Sequence, residues 1–102
     1  MNTSPTDIAS AEAQSVRVSE EVLTVDLTDG RSISVPVSWY PRLAHGTAKE
    51  RKNWQVLGGG IGIHWPDLDE DISVQGLLMG RRSGETQESL AKWLAGRHSR
   101  RV

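Results

Sequence analysis

The segment GGGIGIHWPDLDED, residues 58–71, holds residue types that could bind a phosphate group or a metal ion. A phosphate cradle needs a Gly-x-Gly-x-x-Gly pattern ahead of a helix, or a Gly-Lys-Ser/Thr sequence, and neither is present. Asp67, Asp69 and Asp71 have the spacing that begins a calcium-binding EF-hand loop, but the glycine and the glutamate that complete such a loop are missing. We therefore expect no nucleotide, no metal ion and no other cofactor.

His64 is the histidine of this segment, and nearby carboxylates could make it a general base or a metal ligand. A base needs a nucleophile or substrate atom within reach, and a metal site needs about three protein ligands, of which His45 is the other candidate. The serines show no spacing with a histidine and an aspartate that would single out a catalytic triad. We expect His64 to be a structural residue and the protein not to be an enzyme, with catalysis at His64 as the alternative.

The composition is that of one small globular domain. The chain has 102 residues, of which 36% are hydrophobic and 25% charged, and it contains no cysteine. The lack of cysteine excludes disulfides, thiolate nucleophiles and cysteine metal sites. No apolar run approaches the roughly 18 residues of a membrane span, so we expect a cytoplasmic protein. The four tryptophans and one tyrosine, with no phenylalanine, indicate that tryptophan fills much of the core.

Charge is distributed unevenly along the chain. Residues 1–80 contain six Lys/Arg and eleven Asp/Glu, a net −5, whereas residues 81–102 contain six and two, a net +4. This asymmetry indicates an acidic body with a basic extension. If the extension binds nucleic acid through phosphate contacts, the residues involved are Arg81, Arg82, Lys92, Arg97, Arg100 and Arg101.

Patterning divides the chain into three segments. Residues 1–14 are polar and lack a periodic apolar face, which predicts a disordered leader. Residues 15–80 are expected to form an α+β domain, and residues 81–102 a basic C-terminal helix and tail. The fold class we expect is α+β, with a small antiparallel sheet built from two β-hairpins, short helices and the C-terminal helix.

The first predicted hairpin turns at Asp29-Gly30, where apolar and polar residues alternate on both sides. Directly opposed residues of an antiparallel pair share a face. This condition favours pairing Val25 with Ile33 through the three-residue loop Thr28–Gly30, with Gly30 in a left-handed conformation.

The second predicted hairpin has a two-residue turn at Gly58-Gly59. This turn places Val56 opposite Ile61 and Trp54 opposite Ile63, so that the large apolar residues share one face. Agreement between turn and patterning favours a hairpin over a ligand-binding loop.

The helices are predicted from their capping residues. Ser38–Leu43 (SWYPRL) is expected to form an irregular turn or a single helical turn, because Tyr40 precedes a proline. Thr47 and Glu50 have the spacing of a capping box, which predicts a short helix that runs to about Asn53.

Residues 86–95 are predicted to form a helix that ends at Gly96, with Leu90, Trp93 and Leu94 along one side. An isolated helix of this length is marginal in water and must dock on something. Because the junction before it is polar, we expect it to dock on a partner or a dimer mate rather than on its own sheet.

Three stretches of the sequence resemble a known bacterial family, the domain of unknown function 2442. They are DLTDGRSISVPVSWYPRL, ERKNW and GIHWPDLDEDISVQGLL, and the resemblance extends over about Val16–Gly80. It implies a small α+β domain. Some members of the family resemble one half of a two-protein arrangement similar to a toxin and its antitoxin, in which the second small protein belongs to the domain of unknown function 4160. The resemblance therefore also implies such a role for this chain.

Some members of that family carry a helix-turn-helix after the domain, but the segment after Gly80 is too short for a three-helix DNA-binding domain. We therefore expect a non-enzymatic interaction module, the antitoxin-like partner of a small toxin-like protein, that binds a small protein or a second copy of itself. Nucleic-acid binding through the basic extension is the alternative. Since Trp, Tyr and Arg dominate interface energetics, the candidate contact residues are Trp39, Tyr40, Arg42, Trp65, Leu90, Trp93 and Leu94, with packing in the core as the alternative for each.

Overall fold

The structure, a computed structural model, describes residues 11–100 of the chain, with side chains to residue 97. Two three-stranded antiparallel sheets and four α-helices make up the fold, which confirms the predicted α+β class. The strands are β1 (Ala13–Val18), β2 (Val22–Leu27), β3 (Ser32–Pro36), β4 (Gln55–Leu57), β5 (Gly62–Trp65) and β6 (Glu70–Ser73). The helices are α1 (Pro41–Ala44), α2 (Ala48–Lys52), α3 (Val74–Leu78) and α4 (Gln87–Arg100). The two predicted hairpins lie in separate sheets rather than in one.

The hairpin of β2 and β3 has the predicted register. Val25 pairs with Ile33 and Leu23 with Val35. The amide of Leu27 donates to the carbonyl of Arg31 at 2.8 Å, which leaves a three-residue loop between them. Gly30 has a φ of 95°. Because side chains strongly disfavour this conformation, the glycine at this position determines the turn.

Strand β1 completes the first sheet and begins at Ala13, inside the segment predicted to be a disordered leader. Ala13 is only 5% exposed, and its amide donates to the carbonyl of Gly60 at 2.8 Å, which links the two sheets. A Cβ at Gly60 would lie 2.5 Å from the Cβ of Glu12, so the chains approach closely because residue 60 is glycine. Residues 1–10 of the predicted leader lie outside the described residues.

The predicted register of the second hairpin is wrong by two residues. Val56 pairs with Ile63 rather than with Ile61, and the connection includes Ile61 as well as three glycines. Gly58, Gly59 and Gly60 all have positive φ, at 53°, 70° and 117°. Three adjacent residues without side-chain restrictions allow this wider loop, and it leaves Ile61 66% exposed instead of facing the core.

The short helices follow their predicted caps. The Thr47 hydroxyl accepts from the Glu50 amide at 3.1 Å and the Glu50 carboxylate accepts from the Thr47 amide at 2.8 Å, which confirms the capping box. The expected irregular turn at 38–43 is a 3₁₀ turn, Val37–Trp39, followed by α1 with Pro41 at its first position. Proline is favoured there because its missing amide would have no helical partner.

One core receives side chains from both sheets and from the segments between them. Its fully buried members include Leu23, Leu43, Ile63, Leu68 and Trp65. The indole Nε1 of Trp65 donates to the carbonyl of Arg51 at 3.0 Å, which satisfies the polar atom of the largest buried side chain. The acidic segment that contains Asp67 and Asp69 is a turn that leads directly into β6, and its Leu68 lies in this core.

Helix α4 continues through Gly96 to Arg100, so the prediction that Gly96 ends the helix is wrong. Gly96 lacks the positive φ of a C-terminal glycine cap. An ion pair between Arg97 and Glu50 holds the following turn against α2. Within residues 11–100, no helix has the length and apolar character needed to cross a membrane.

Candidate functional site

Two arginine–glutamate pairs attach α4, and the segment that leads into it, to their own domain. Arg42 donates through Nε and Nη2 to the Glu85 carboxylate at 2.7 and 2.8 Å. Arg97 donates through Nη2 and Nη1 to the Glu50 carboxylate at 2.8 and 3.0 Å. Both pairs are largely shielded from water, with side-chain exposures of 9–18%. Bidentate pairs of this kind fix direction as well as distance, so within this single chain the helix lies against its own domain.

Trp93 lies between these two pairs. The guanidinium of Arg97 is 4.6 Å from the centroid of its ring and that of Arg42 is 5.0 Å from it. Arginine stacks favourably on an indole ring, so the Trp93 side chain of α4 contacts the arginines of both ion pairs. Hydrogen bonds from Arg97 lower the pKa of Glu50 to about 2 against the opposing effect of burial, and those from Arg42 lower the pKa of Glu85.

A groove of about 620 Å³ runs between α4 and the turn that precedes β6. His64 lines it and is hydrogen-bonded through Nδ1 to Asp71, its cross-strand neighbour. Asp67 and Asp69 line the same groove, but among residues 11–100 no three His, Asp or Glu side chains are grouped so that they could hold a metal ion. The groove therefore offers a histidine and separate carboxylates as hydrogen-bonding groups.

Glu70 is the most strongly perturbed carboxyl group beside the segment that leads into α4. Its Oε2 is buried and has no hydrogen-bond partner among the described residues, while Oε1 accepts from the Asp71 amide at 3.2 Å. Burial raises the pKa of Glu70 to about 7, although the Asp71 amide and the charge of Arg42 act in the opposite direction. A carboxyl group with a pKa raised to about 7 was not predicted, because the cavity beside it is lined by residues that follow α3 in the chain.

The hairpin of β4 and β5 carries an exposed apolar surface that the sequence did not indicate. Val56, Leu57 and Ile61 are 38%, 39% and 66% exposed. The side chain of Ile61 lies over Gly58, where a Cβ would be 2.8 Å away. We call Val56, Leu57 and Ile61 the hairpin patch. The sequence analysis did not predict the hairpin patch, because the predicted register directed Ile61 into the core.

The candidate contact residues lie at different depths. Trp65 is fully buried and Tyr40 is 5% exposed, with its hydroxyl donating to the Arg81 carbonyl at 2.9 Å. Trp39 is partly buried and stacks under Arg82 at 4.7 Å. The remaining four candidates are partly buried and lie on α4 or beside it. They are Arg42, Leu90, Trp93 and Leu94.

The candidate nucleic-acid contacts that the structure describes differ in their surroundings. Arg97 is paired with Glu50, and Lys92 lies 3.6 Å from Glu88 on the same helix. Arg81 and Arg82 are exposed in the segment before α4. The side chain of Arg100 is not described, and Arg101 lies outside the described residues.

Comparison with solved structures gives two proteins with similar folds and no described function. One is a protein of unknown function from Rhodospirillum rubrum, with a TM-score of 0.63 and 28% identity over 76% of this chain and 94% of that chain. The other is an uncharacterized protein from Chromobacterium violaceum, with a TM-score of 0.61 and 25% identity over 79% of this chain and 74% of that chain. Comparison with curated proteins gives no match. Residues 13–83 match the profile of the DUF2442 proteins of unknown function, and the chain therefore belongs to that family.

Proposed function

We propose that the protein is a non-enzymatic, cytoplasmic interaction module that binds a small partner protein along the edge of β4. The observation that carries this proposal is the hairpin patch, in which Val56 and Leu57 on the outer strand β4 and Ile61 in the adjoining loop are each exposed. Exposed apolar clusters that adjoin a strand edge favour association with another chain.

The four outer strands of the two sheets differ in their exposed residues. On β3 these are Ser32, Ser34 and Pro36, and on β6 they include Asp71 and Ser73. Proline and charged side chains discourage pairing with another strand. On β1 the exposed residues are Gln14 and Arg17, whereas on β4 they are Gln55, Val56 and Leu57. Strand β4 is thus the outer strand with the fewest features that oppose pairing.

A partner strand added to β4 would gain main-chain hydrogen bonds from its edge and side-chain contacts from the hairpin patch. The more specific form of the proposal is an antitoxin-like role, in which this chain covers a surface of a small toxin-like protein. The similarity to family members that resemble one half of such a pair supports it. A strand of three residues offers few hydrogen bonds, so the patch must contribute much of the affinity.

The test replaces one residue of the patch and compares it with an exposed apolar residue of the other sheet. Proteins retained by the tagged full chain in a lysate of its host are identified, purified and titrated against the wild type, Ile61→Asp and Val22→Asp. Val22 is 41% exposed on β2, which makes it the matched control. We expect Ile61→Asp to weaken binding at least tenfold and Val22→Asp to leave it unchanged, with both variants folded by circular dichroism.

Equal affinity of the wild type and Ile61→Asp would exclude this surface. For the antitoxin-like form, coexpression of the wild type must relieve growth inhibition by the partner, and Ile61→Asp must fail to do so. Retention of DNA that falls steeply with salt and is lost in Arg81→Ala/Arg82→Ala would instead support the nucleic-acid alternative.

A further inference from the structure

The carboxyl group of Glu70 lies between the body of the domain and the segment that leads into α4. One cavity beside it, of about 240 Å³, is lined by Tyr40 and by residues 81–84. A second cavity, of about 350 Å³, is lined by Arg42, Ser83 and Glu85 together with the acidic residues at 69–71. Glu70 therefore lies at the junction where Arg42 holds Glu85.

Charged and titratable groups surround Glu70 from each neighbouring segment. Tyr40 and Arg42 lie before and within α1, Asp69 and Asp71 flank Glu70 in the chain, and the segment ahead of α4 contributes Arg81, Arg82 and Glu85. Arg42 is already committed to Glu85 by two hydrogen bonds. An ionised Glu70 would thus face Glu85 without a hydrogen-bond donor for its Oε2.

We propose that Glu70 is a pH-dependent latch for α4, which is attached while the Glu70 carboxyl is protonated and is released when that carboxyl ionises. The ionised group would repel Glu85 and compete with it for Arg42, so the attachment would lose the Arg42–Glu85 pair, one of its two ion pairs. Release would expose Trp93 and the adjoining Leu90 and Leu94 to a partner. This inference does not depend on the proposed role of β4.

The sign of the pH dependence follows from linkage. With α4 attached, burial holds the pKa of Glu70 at about 7, above its ordinary value of 4.5. With α4 released, the carboxyl meets water and its pKa falls toward the ordinary value. Attachment is therefore most stable below about pH 4.5, and it loses stability as the pH rises from there through about 7. The lowered pKa values of Glu50 and Glu85 keep both ion pairs charged on the acidic side.

The absence of native cysteine allows the latch to be followed by a distance between two introduced labels. Spin labels are placed on Lys52→Cys and Ala91→Cys, two exposed positions on α2 and α4, in the full chain. Distance distributions are recorded between about pH 5.5 and 8.5. We expect one short distance at the acidic end and a longer, broader population that grows with a midpoint near 7.

The decisive comparison is Glu70→Gln, which imitates the protonated carboxyl and should keep the short distance at every pH. Glu88→Gln is the matched control, because Glu88 is an 81% exposed glutamate on α4, and it should behave as the wild type does. A wild-type distance that does not change with pH, or a Glu70→Gln variant with the wild-type midpoint, would overturn the proposal.

If Glu70→Gln does not fold, the carboxyl carbon of Glu70 is titrated by NMR in the wild type. Its midpoint must then coincide with that of the label distance. Different midpoints for the two titrations would overturn the proposal in the same way.

Discussion

At the scale of single residues, Gly30 is required by its turn, whereas Gly96 is not required by its helix. A side chain at either position would meet open space, since a Cβ has no atom within 4 Å at either residue. Gly30 is held at a φ of 95°, whereas Gly96 lies within the regular turns of α4. The backbone conformation, rather than the available space, therefore determines what each residue contributes.

We expect Gly30→Ala to lower the free energy of unfolding by about 1 kcal/mol and Gly30→Val by more, with Gly30→Asn milder. Gly96→Ala should have the opposite sign, because alanine is favoured over glycine inside a helix by up to about 1 kcal/mol. Urea unfolding of the four variants measures these differences. Equal stability of Gly30→Val and Gly30→Asn would contradict the left-handed turn.

Trp65 combines complete burial with a satisfied indole. Trp65→Phe retains an aromatic ring but removes the donor to the Arg51 carbonyl, which should cost about 1–3 kcal/mol. Trp65→Ala also leaves a cavity and should cost about 3–5 kcal/mol. Urea unfolding measures both variants against Trp39→Phe, a partly buried tryptophan. A Trp65→Phe variant as stable as the wild type would show that the indole hydrogen bond contributes nothing net.

At the scale of elements, Glu50 caps α2 and anchors α4 with the same carboxylate. It accepts from the Thr47 amide and from both terminal nitrogens of Arg97. The pKa of Glu50 is lowered to about 2, so its stabilising effect is complete above its ordinary value of 4.5 and is lost as the pH falls toward 2.

Arg97→Gln should therefore raise the pKa of Glu50 toward 4.5 and reduce the loss of stability between about pH 4.5 and 2. Titration of the Glu50 carboxyl carbon by NMR and urea unfolding across that range measure the two effects. Lys92→Gln removes a cation that is 78% exposed on the same helix and serves as the control. An unchanged Glu50 pKa in Arg97→Gln would mean that α4 is not held there in solution.

The two hairpins show which elements were predictable from sequence. Between Leu27 and Arg31, alternation and a single glycine admit one register that keeps the apolar residues on one face. Between Leu57 and Gly62, three consecutive glycines allow either a short turn or a wider loop, and patterning favoured the short turn. Short-range signals thus predicted the first hairpin, whereas the second depends on the contact of Gly60 with β1.

The candidate site was less predictable than the elements. Arg42 and Trp93 were among the candidate contact residues. Their contacts also involve Glu85 and Arg97, which are far from Arg42 in the sequence. The same is true of Glu70, beside which the cavity is lined by residues that follow α3. Periodicity describes local faces and carries no information about which distant charge will pair with which.

At the scale of the whole molecule, the family match ends at residue 83, and α4 follows it. The helix is joined to the body by side-chain pairs and Trp93 rather than by a strand. The family match thus covers the body of the domain, and the contribution of α4 to stability can be measured separately.

Deletion of residues 84–102 should lower the melting temperature. The truncated protein should still sediment with the mass of a monomer. For a domain of this size, a loss of 1 kcal/mol corresponds to about 4–8 °C. Trp93→Ala in the full chain should lower the melting temperature less than the deletion does, because the two ion pairs remain. A truncation that melts with the full chain but abolishes an association seen for the full chain would favour docking of α4 on another molecule.

Both sheets are meanders in which every strand pairs with its neighbour in sequence, in the orders β1-β2-β3 and β4-β5-β6. The loops that must close during folding are therefore short, and closing a short loop costs little chain entropy. Proteins dominated by such local pairings refold faster than β-proteins with distant pairings. On the ribosome, the first sheet has all of its strands as soon as residue 36 has emerged, so it can assemble while the second sheet and α4 are still being synthesised.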